Sequence, residues 1–269
     1  YDSGIAKRFS LGWAPTEWDS LAKHLKVSPE DLQEAGLGGL SRRGQQYDFF
    51  RDRIMFPIFN EKGEPIGFGG RQLPEGEGPK YKNTSDSAKI YSKSEVLYGL
   101  NWAKTEAGKL SEIVVCEGYT DVIGAHLAGV ERAVATCGTA MTEKHARKLK
   151  RFAPRVVLAF DADNAGQAAA ERVYGWEEEF GLQFAIANLP EGSDPGELSR
   201  EDPAALRQSI EEAKPFLQFL VDRELERGDL STPEQQAHTA EEAARLVIEH
   251  PNPMVRDSYV IKIADTCRV

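Results

Sequence analysis

Two aspartates, Asp161 and Asp163, directly follow an apolar run at residues 156–160, and a glycine, Gly166, comes soon after them. Two carboxylates one residue apart repel each other unless a cation lies between them. Carboxylate oxygens without a nearby histidine or thiolate suit the hard ions Mg²⁺ and Mn²⁺. The segment therefore predicts a divalent-metal site at the end of a buried strand, where the chain turns into a helix.

Three other apolar runs in the same region also end in polar residues. These runs are at residues 113–116, 133–137 and 184–189. The residues that follow them are Glu117 and Asp121, then Gly138 and Thr139, and finally Asp194. Helical segments of about 10–20 residues separate the four runs, a rhythm typical of parallel strands joined by crossover helices.

The carboxyl ends of parallel strands meet at one edge of the sheet, where ligands bind. We therefore expect five carboxylates to converge, namely Glu117, Asp121, Asp161, Asp163 and Asp194. An Asp-x-Asp pair alone is often only a turn and a helix cap. Acids at several strand ends favour a pair of divalent ions that grip the attacking and leaving oxygens of an in-line phosphoryl transfer.

The composition is that of an ordinary soluble globular protein, with 269 residues, 41% hydrophobic and 28% charged. No apolar stretch approaches the roughly 18 residues of a membrane span. Three widely separated cysteines argue for a reducing, cytoplasmic compartment and against a disulfide framework or a zinc site. The start at Tyr1 and the end at Val269 suggest a piece of a longer chain, without a signal peptide.

The net charge of −10 is unevenly distributed along the chain. Residues 1–110 carry 16 Lys and Arg against 15 Asp and Glu, whereas residues 111–200 carry 9 against 14 and residues 201–269 carry 8 against 14. The first part also mixes strand-like runs with Gly- and Pro-rich turns, and the last shows only helical spacing. These changes predict a mixed α+β subdomain (1–110), an α/β domain (111–200) and a helical subdomain (201–269).

Glu117 after one apolar strand, followed 44 residues later by Asp161-x-Asp163 after another, resembles the toprim domain. This domain is shared by primases, type IA and type II topoisomerases and some nucleases. The resemblance implies an α/β fold with a toprim-type parallel sheet and flanking helices. It does not by itself choose among the activities.

Upstream segments resemble the successive motifs of the catalytic core of bacterial DnaG-type primases. They are Arg8-Phe9-x-x-Gly12-x-Ala14-Pro15, Arg51-Asp52-Arg53-Ile54-Met55-Phe56-Pro57-Ile58, Gly67-Phe68-Gly69-Gly70-Arg71, Lys80-Tyr81-x-Asn83, and Lys93 followed by Leu97-Tyr98-Gly99-Leu100. Arg256-Asp257-x-Tyr259 is similar to the end of that core, so the resemblance covers essentially the whole chain.

The resemblance implies a monomeric DNA-dependent RNA polymerase of the bacterial replisome, which makes short RNA primers with Mg²⁺ or Mn²⁺ as cofactor. Its partners would be a single-stranded DNA template, ribonucleoside triphosphates and the replicative helicase. We expect the zinc-binding and helicase-binding domains of the family to be absent from this chain. The main rival is a toprim nuclease; a DNA-binding module without chemistry and a sugar-nucleotide transferase are more distant alternatives.

The site residues that the resemblance implies form two groups. Glu117, Asp161 and Asp163 would be catalytic, and with Asp121 and Asp194 they would bind the metals. The nucleotide and template contacts would be Arg53, Arg71, Lys80, Tyr81, Lys82, Asn83 and Lys93. Gly138 and Thr139 could offer amides to a triphosphate. Tyr119 is expected to pack or to contact nucleotide rather than act as a nucleophile.

One position departs from the family pattern. The family often carries Asp-Pro-Asp after the fourth strand, whereas this sequence reads Asp194-Pro195-Gly196-Glu197. No metal role is therefore assigned to position 196, or to Glu197 in its place.

Overall fold

The computed structural model describes residues 2–74, 78–85, 88–159, 167–190 and 192–269, with the side chains of helix α7 described from residue 172 onward. The predicted metal ligands Asp161 and Asp163 lie outside these ranges. The geometry of the predicted site is therefore given by Glu117, Asp121, Asp194 and the basic and aromatic residues around them.

The first part of the chain is built on a four-stranded antiparallel sheet of order β1-β4-β5-β6. Its elements are α1 (Ser3–Arg8), β1 (Gly12–Ala14), α2 (Ser20–Leu25), α3 (Pro29–Glu34), β2 (Gly38–Leu40), β3 (Gln46–Asp48), β4 (Arg53–Phe59), β5 (Pro65–Gln72) and β6 (Tyr81–Asn83). Strands β2 and β3 pair separately as a small antiparallel ladder. This arrangement matches the mixed α+β character predicted for the region.

The second part contains a five-stranded sheet of order β11-β10-β9-β7-β8. Its elements are α4 (Leu100–Leu110), β7 (Glu112–Cys116), α5 (Tyr119–Leu127), β8 (Ala133–Ala135), α6 (Glu143–Leu149), β9 (Arg155–Leu158), α7 (Gln167–Phe180), β10 (Gln183–Ile186), α8 (Pro195–Glu201), α9 (Pro203–Glu211) and β11 (Lys214–Pro215). The four strands expected from the apolar runs pair in parallel, and only the short β11 is antiparallel.

Both faces of this parallel sheet are buried, which explains the uninterrupted apolar runs. Along β7, Ile113 and Val115 belong to one core, and Val114 and Cys116 belong to the core on the other face. This alternation follows from the two-residue period of a strand.

The last part is helical, as its spacing predicts, with α10 (Phe216–Arg227), α11 (Pro233–Val247) and α12 (Pro253–Cys267). The hydroxyl of Thr232 accepts a hydrogen bond from the Gln235 N–H at 3.2 Å, and Pro233 occupies the first turn, so α11 begins where the sequence predicts. These helices pack on the core that contains Ile113 and Val115. Within the described ranges, no helix is long and apolar enough to cross a bilayer.

Candidate active site

The strand order places a crevice between the carboxyl ends of β7 and β9. From β7 the chain crosses to β8 on one side, and from β8 it crosses back over β7 to β9 on the other. Helix α5, which follows β7, contributes Val122 and Ile123 to one core, whereas α7, which follows β9, contributes Val173 and Tyr174 to the opposite core. Such a reversal opens a ligand crevice in α/β sheets. Glu117 stands at the β7 end of this crevice.

The turn between β7 and α5 positions two carboxylates. Glu117 and Gly118 leave the strand, and α5 begins at Tyr119. Asp121 lies in the first turn of the helix, and its Oδ2 accepts a hydrogen bond from the Gly118 N–H at 2.9 Å. Asp121 is only 7% exposed, so its carboxylate is fixed within the protein. Glu117 and Asp121 therefore face the same cavity, as the sequence predicts.

Asp194 reaches this cavity from the start of α8. Its Oδ1 caps the helix by accepting a hydrogen bond from the Glu197 N–H at 2.6 Å, and Pro195 occupies the first turn. A cap role and a ligand role are compatible, because an ionised carboxylate has four acceptor sites. The predicted acid of the fourth strand end therefore lies beside those of the first.

Gly196 separates Asp121 from Asp194. A Cβ placed on Gly196 would lie 2.8 Å from Asp121 Oδ1 and 3.2 Å from Asp194 Oδ1, so both carboxylates pack against this glycine. Helix α5 can approach this turn because Gly124 faces Ser199, where an added Cβ would lie 2.2 Å from the serine Oγ. At the position where the family often carries a second aspartate, this chain has close packing instead.

The electrostatics of the cluster favour a cation. Burial raises the pKa of Asp121, and the negative charges of Asp194 and Glu117 raise it further, against the opposing effect of the Gly118 and Gly196 N–H groups. A buried carboxylate beside two others is stabilised in its charged form by a bound cation. Three oxygen-donor side chains without a histidine among them suit a hard ion such as Mg²⁺ or Mn²⁺.

The described carboxylates do not by themselves complete a metal site. Among the residues that the structure describes, no group of three or more His, Cys, Asp or Glu side chains is arranged to hold a metal ion. Asp161 and Asp163, the two ligands predicted after β9, lie outside that part of the chain. The five-carboxylate site remains a prediction.

Basic and aromatic residues of the N-terminal subdomain form the facing wall of the cavity. The cavity holds about 420 Å³. Its described lining includes seven of the predicted site residues, Lys80, Tyr81, Asn83, Lys93, Glu117, Asp121 and Asp194. Cations and anions from distant parts of the sequence thus face each other across one space.

Hydrogen bonds hold the two walls together. The Tyr119 hydroxyl donates to Asn83 Oδ1 at 2.8 Å, and Asn83 Nδ2 donates to the Cys137 carbonyl at 2.9 Å. Asn83 therefore connects β6 to the turns after both β7 and β8. A single amide group therefore holds both turns against β6 and keeps the two walls of the cavity in place.

Tyr119 is a packing residue. It is 2% exposed and stacks on Phe56, with ring centroids 4.9 Å apart. Burial raises the pKa of its hydroxyl well above the ordinary value, so the nucleophilic phenolate is disfavoured. The sequence-based preference for packing over a topoisomerase-like nucleophile agrees with these contacts.

Two predicted phosphate contacts lie away from the cavity. Arg53 is 5% exposed and its Nη1 donates to the carbonyls of Gly70 at 3.3 Å and Pro79 at 2.9 Å. Lys82 Nζ donates to the Phe49 carbonyl at 2.7 Å and lies 3.5 Å from the centre of the Phe49 ring. Burial, with the charges of nearby arginines, lowers the pKa of Lys82 to about 8. Both side chains therefore bind backbone carbonyls within the N-terminal subdomain.

Arg71 lies between these extremes. Its guanidinium carbon is 5.8 Å from the centre of the Tyr81 ring. It lines a neighbouring cavity of about 590 Å³ that shares Lys80 with the carboxylate cavity. Arg71 is therefore placed to continue the basic wall outward.

Some lining residues were not anticipated from the sequence. Thr120 and Ser193 line the carboxylate cavity beside the predicted acids, and adjacency to Glu117, Asp121 and Asp194 was the available signal. Thr136, which the sequence did not single out, and the predicted Thr139 close the turn around Gly138, each hydroxyl donating to the other's carbonyl, at 2.7 and 3.1 Å. Cys137 and Gly138 adopt positive φ angles of 52° and 83° in this turn.

Solved structures decide which family has this arrangement. The RNA polymerase domain of Mycobacterium tuberculosis primase, in complex with a double-stranded DNA with an overhang, superposes with a TM-score of 0.87 at 35% identity, covering 99% of this chain and 87% of that one. The chain belongs to the DnaG-type primase family. The Escherichia coli primase catalytic core is also similar, with a TM-score of 0.77 at 33% identity, covering 100% of this chain and 87% of that one. These likenesses confirm the predicted fold class.

Curated primases show the same relationship in sequence. The DNA primase of Streptomyces coelicolor is 39% identical over 273 residues, which cover 98% of this chain and 42% of the relative. The DNA primase of Pseudomonas aeruginosa is 39% identical over 261 residues, covering 94% of this chain and 39% of the relative. The chain thus spans about two fifths of the length of the curated primases it matches.

Three family models match successive segments of this primase-family chain. They are the N-terminal domain of the DNA primase catalytic core at residues 1–104, a toprim-like domain at 114–199, and the DnaB-helicase binding domain of primase at 217–269. The last match corrects the expectation that the helicase-binding domain is absent from this chain. The apolar spacing of residues 217–269 predicts helix packing, but such a pattern does not show which partner a helical surface binds.

Proposed function

We propose that this chain is the catalytic core of a bacterial primase and joins ribonucleotides into short RNA primers on single-stranded DNA. The observation that carries the proposal is the shared cavity, with Glu117, Asp121 and Asp194 on one wall and Lys80, Tyr81, Asn83 and Lys93 on the other. Carboxylates opposite lysines suit a reaction in which metal ions and cationic side chains hold the same phosphates.

Relatives bound to DNA support the choice of template. One solved relative, 32% identical to this chain, is a primase catalytic domain bound to single-stranded DNA. In this chain the corresponding contact surface would be basic and aromatic. Lysines bind phosphates as point charges, and an exposed tyrosine ring offers a face on which a base can stack.

The cofactor would be Mg²⁺ or Mn²⁺, held by Glu117, Asp121 and Asp194 together with Asp161 and Asp163. The described donors suit such an ion, since Glu117, Asp121 and Asp194 line one cavity, and burial together with the neighbouring anions raises the pKa of Asp121. When bound, divalent ions supply neutralisation of the charge on the transferring phosphoryl group.

The chain's own residues would divide the remaining work. Glu117 lies at the crevice between β7 and β9 and would accept the proton of the attacking 3′-hydroxyl. Lys80 and Lys93 would bind the phosphates of the incoming nucleotide or template, and Tyr81 would stack on a base. Asn83 would keep these groups in register with the carboxylates through its bonds to Tyr119 and Cys137.

Incubation of the full chain with single-stranded DNA, labelled ribonucleoside triphosphates and Mn²⁺ tests the activity. We expect short labelled RNA that depends on the template and is lost in Glu117→Gln. Glu249→Gln, an exposed substitution outside the cavity, is the matched control and should leave synthesis intact. Shortened DNA without RNA would instead identify a toprim nuclease and overturn the proposal.

We further propose that the chain divides at about residues 110 and 200, works in the bacterial cytoplasm, and binds the replicative helicase through residues 217–269. The three family models support these boundaries and that partner. Sedimentation of the chain with a purified hexameric helicase tests the interaction. Co-sedimentation at micromolar concentration is expected, and independent sedimentation of the two proteins would contradict it.

A further inference from the structure

Four side chains form a single row across one face of the N-terminal sheet. The pairing register places Trp13 of β1 opposite Ile54 of β4, Ile54 opposite Arg71 of β5, and Arg71 opposite Tyr81 of β6. Directly paired residues of an antiparallel sheet lie on the same face. With neighbouring strands about 4.8 Å apart, the row extends about 14 Å from Tyr81 to Trp13.

One end of this row lies in the candidate active site. Tyr81 lines the carboxylate cavity, and its ring centre is 6.2 Å from that of the buried Tyr119. Arg71 and Ile54 line the neighbouring cavity, which shares Lys80 with the first. The row therefore leads away from the carboxylates without a break.

The other end of the row is an exposed aromatic ring. Trp13 is 49% exposed although it lies within a strand, and Tyr81 is 36% exposed, whereas Ile54 and Arg71 are half-buried. About half of the large Trp13 ring is therefore in contact with water at the edge of the sheet. Two exposed aromatic rings with a guanidinium between them match the requirements of a single nucleic-acid strand, which has stacking bases and a charged backbone.

We propose that Trp13 is a base-stacking position for the single-stranded template, at the outer end of a track formed by Trp13, Ile54, Arg71 and Tyr81. The proposal rests on the proposed function and extends it by one binding residue. In this arrangement the single-stranded DNA lies across the sheet, with Arg71 and Lys80 against its phosphates and one base stacked on each aromatic ring. Ile54 supplies an apolar floor between them.

The measurement is the dissociation constant of a fluorescein-labelled oligodeoxythymidine from the full chain, at several salt concentrations. Because the stacking face for one base is lost, Trp13→Ala should weaken binding about tenfold. Because no charge is lost, the slope of log Kd against log salt should stay unchanged. Arg71→Ala should instead reduce that slope by about 1.

Two further substitutions at the same position separate stacking from general apolar contact. Trp13→Phe keeps an aromatic face and should bind within about threefold of the wild type. Trp13→Leu keeps apolar area without that face and should be as weak as Trp13→Ala. Since the side chain is half in water, unfolding free energies should agree among the three variants, and this agreement confirms that each is folded.

The failure of this inference differs from failure of the proposed function. Unchanged DNA binding in Trp13→Ala, or wild-type binding in Trp13→Leu, would overturn the stacking role even if RNA synthesis is demonstrated. If no RNA is synthesised but the Trp13 variants bind DNA as expected, the polymerase proposal is overturned and the proposed stacking role of Trp13 is supported.

Discussion

The hydroxyl of Tyr119 donates a hydrogen bond to Asn83 Oδ1 at 2.8 Å, joining the first turn of α5 to strand β6. Phe56 stacks on the same ring, and Gly69 leaves the space that the ring occupies. The N-terminal sheet is thereby held against the turn after β7, where Glu117 and Asp121 line the same cavity as Lys80 and Lys93. Four residues that are far apart in sequence thus meet at one place, namely Phe56, Gly69, Asn83 and Tyr119.

Replacement of Gly69 by alanine should damage the contact directly. A Cβ at this position would lie 2.2 Å from Cζ of Tyr119, so the ring or β5 must move. We expect Gly69→Ala to lower the free energy of unfolding by about 1–3 kcal/mol and to reduce primer synthesis, as measured by denaturant titration and RNA yield.

Gly175→Ala is the matched control for that substitution. Gly175 lies within α7, and no described atom outside the helix's own backbone lies within 4 Å of its Cβ position. Alanine should stabilise the helix there by about 0.5–1 kcal/mol, because glycine loses more backbone entropy on folding. A similar destabilisation of both variants would show that the space beside Tyr119 has no special importance.

Asp194→Asn should weaken divalent-metal binding. A ligand that binds only the folded state stabilises it by about 2.7 kcal/mol at one hundred times its Kd, so Mg²⁺ or Mn²⁺ should raise the melting temperature of the wild type. We expect a smaller rise in Asp194→Asn, measured calorimetrically over a metal titration. Asp265→Asn, an exposed change in α12, should respond as the wild type does. Equal responses of all three proteins would contradict a metal role for Asp194.

Arg53 and Lys80 should respond differently to removal of their charge. Arg53→Met removes the side-chain donor to the carbonyls of Gly70 and Pro79, so the free energy of unfolding should fall by about 1–3 kcal/mol. Lys80→Met should leave stability nearly unchanged and reduce the salt slope of single-strand binding by about 1. A reduced salt slope in Arg53→Met with reduced stability in Lys80→Met would instead identify Arg53, and not Lys80, as a phosphate contact.

His145 should make the protein less stable in acid. Burial, reinforced by the charge of Lys148, lowers the pKa of this fully buried imidazole from 6.5 to about 4. Its unprotonated Nδ1 accepts a hydrogen bond from the Thr142 N–H at 3.3 Å. Because the pKa is depressed in the folded state, the unfolded chain binds the proton first as the pH falls below 6.5.

The free energy of unfolding should therefore fall by about 3 kcal/mol as the pH is lowered from 6.5 to 4, and this contribution is fully retained above pH 6.5. His145→Asn keeps an acceptor for Thr142 and removes the titration, so its unfolding free energy should fall less over this interval. Denaturant titrations at several pH values measure the difference. The exposed His24→Asn variant should retain the wild-type acid dependence; the same curve in His145→Asn would contradict the assignment.

The sequence alone determined the parallel sheet and the positions of its acids. A strand buried on both faces must be apolar throughout, so the runs that became β7, β8, β9 and β10 were visible without a structure. A carboxylate that follows such a strand must lie at its carboxyl end. The positions of Glu117, Asp121 and Asp194 were therefore predictable from the local pattern. The resemblance to a known family was also visible in the sequence, because each of its motifs is a short continuous segment.

Only the tertiary structure decided which cations face those acids. Lys82 alternates with Tyr81 and Asn83 along β6, so it points to the other face of the sheet, where it binds the Phe49 carbonyl. Lys80 precedes the strand and reaches the cavity. Whether a basic side chain binds a ligand or a carbonyl depends on contacts between residues distant in sequence, such as Arg53 with Pro79. Spacing along a chain contains no information about such contacts, because they arise only when segments distant in sequence pack together in the folded chain.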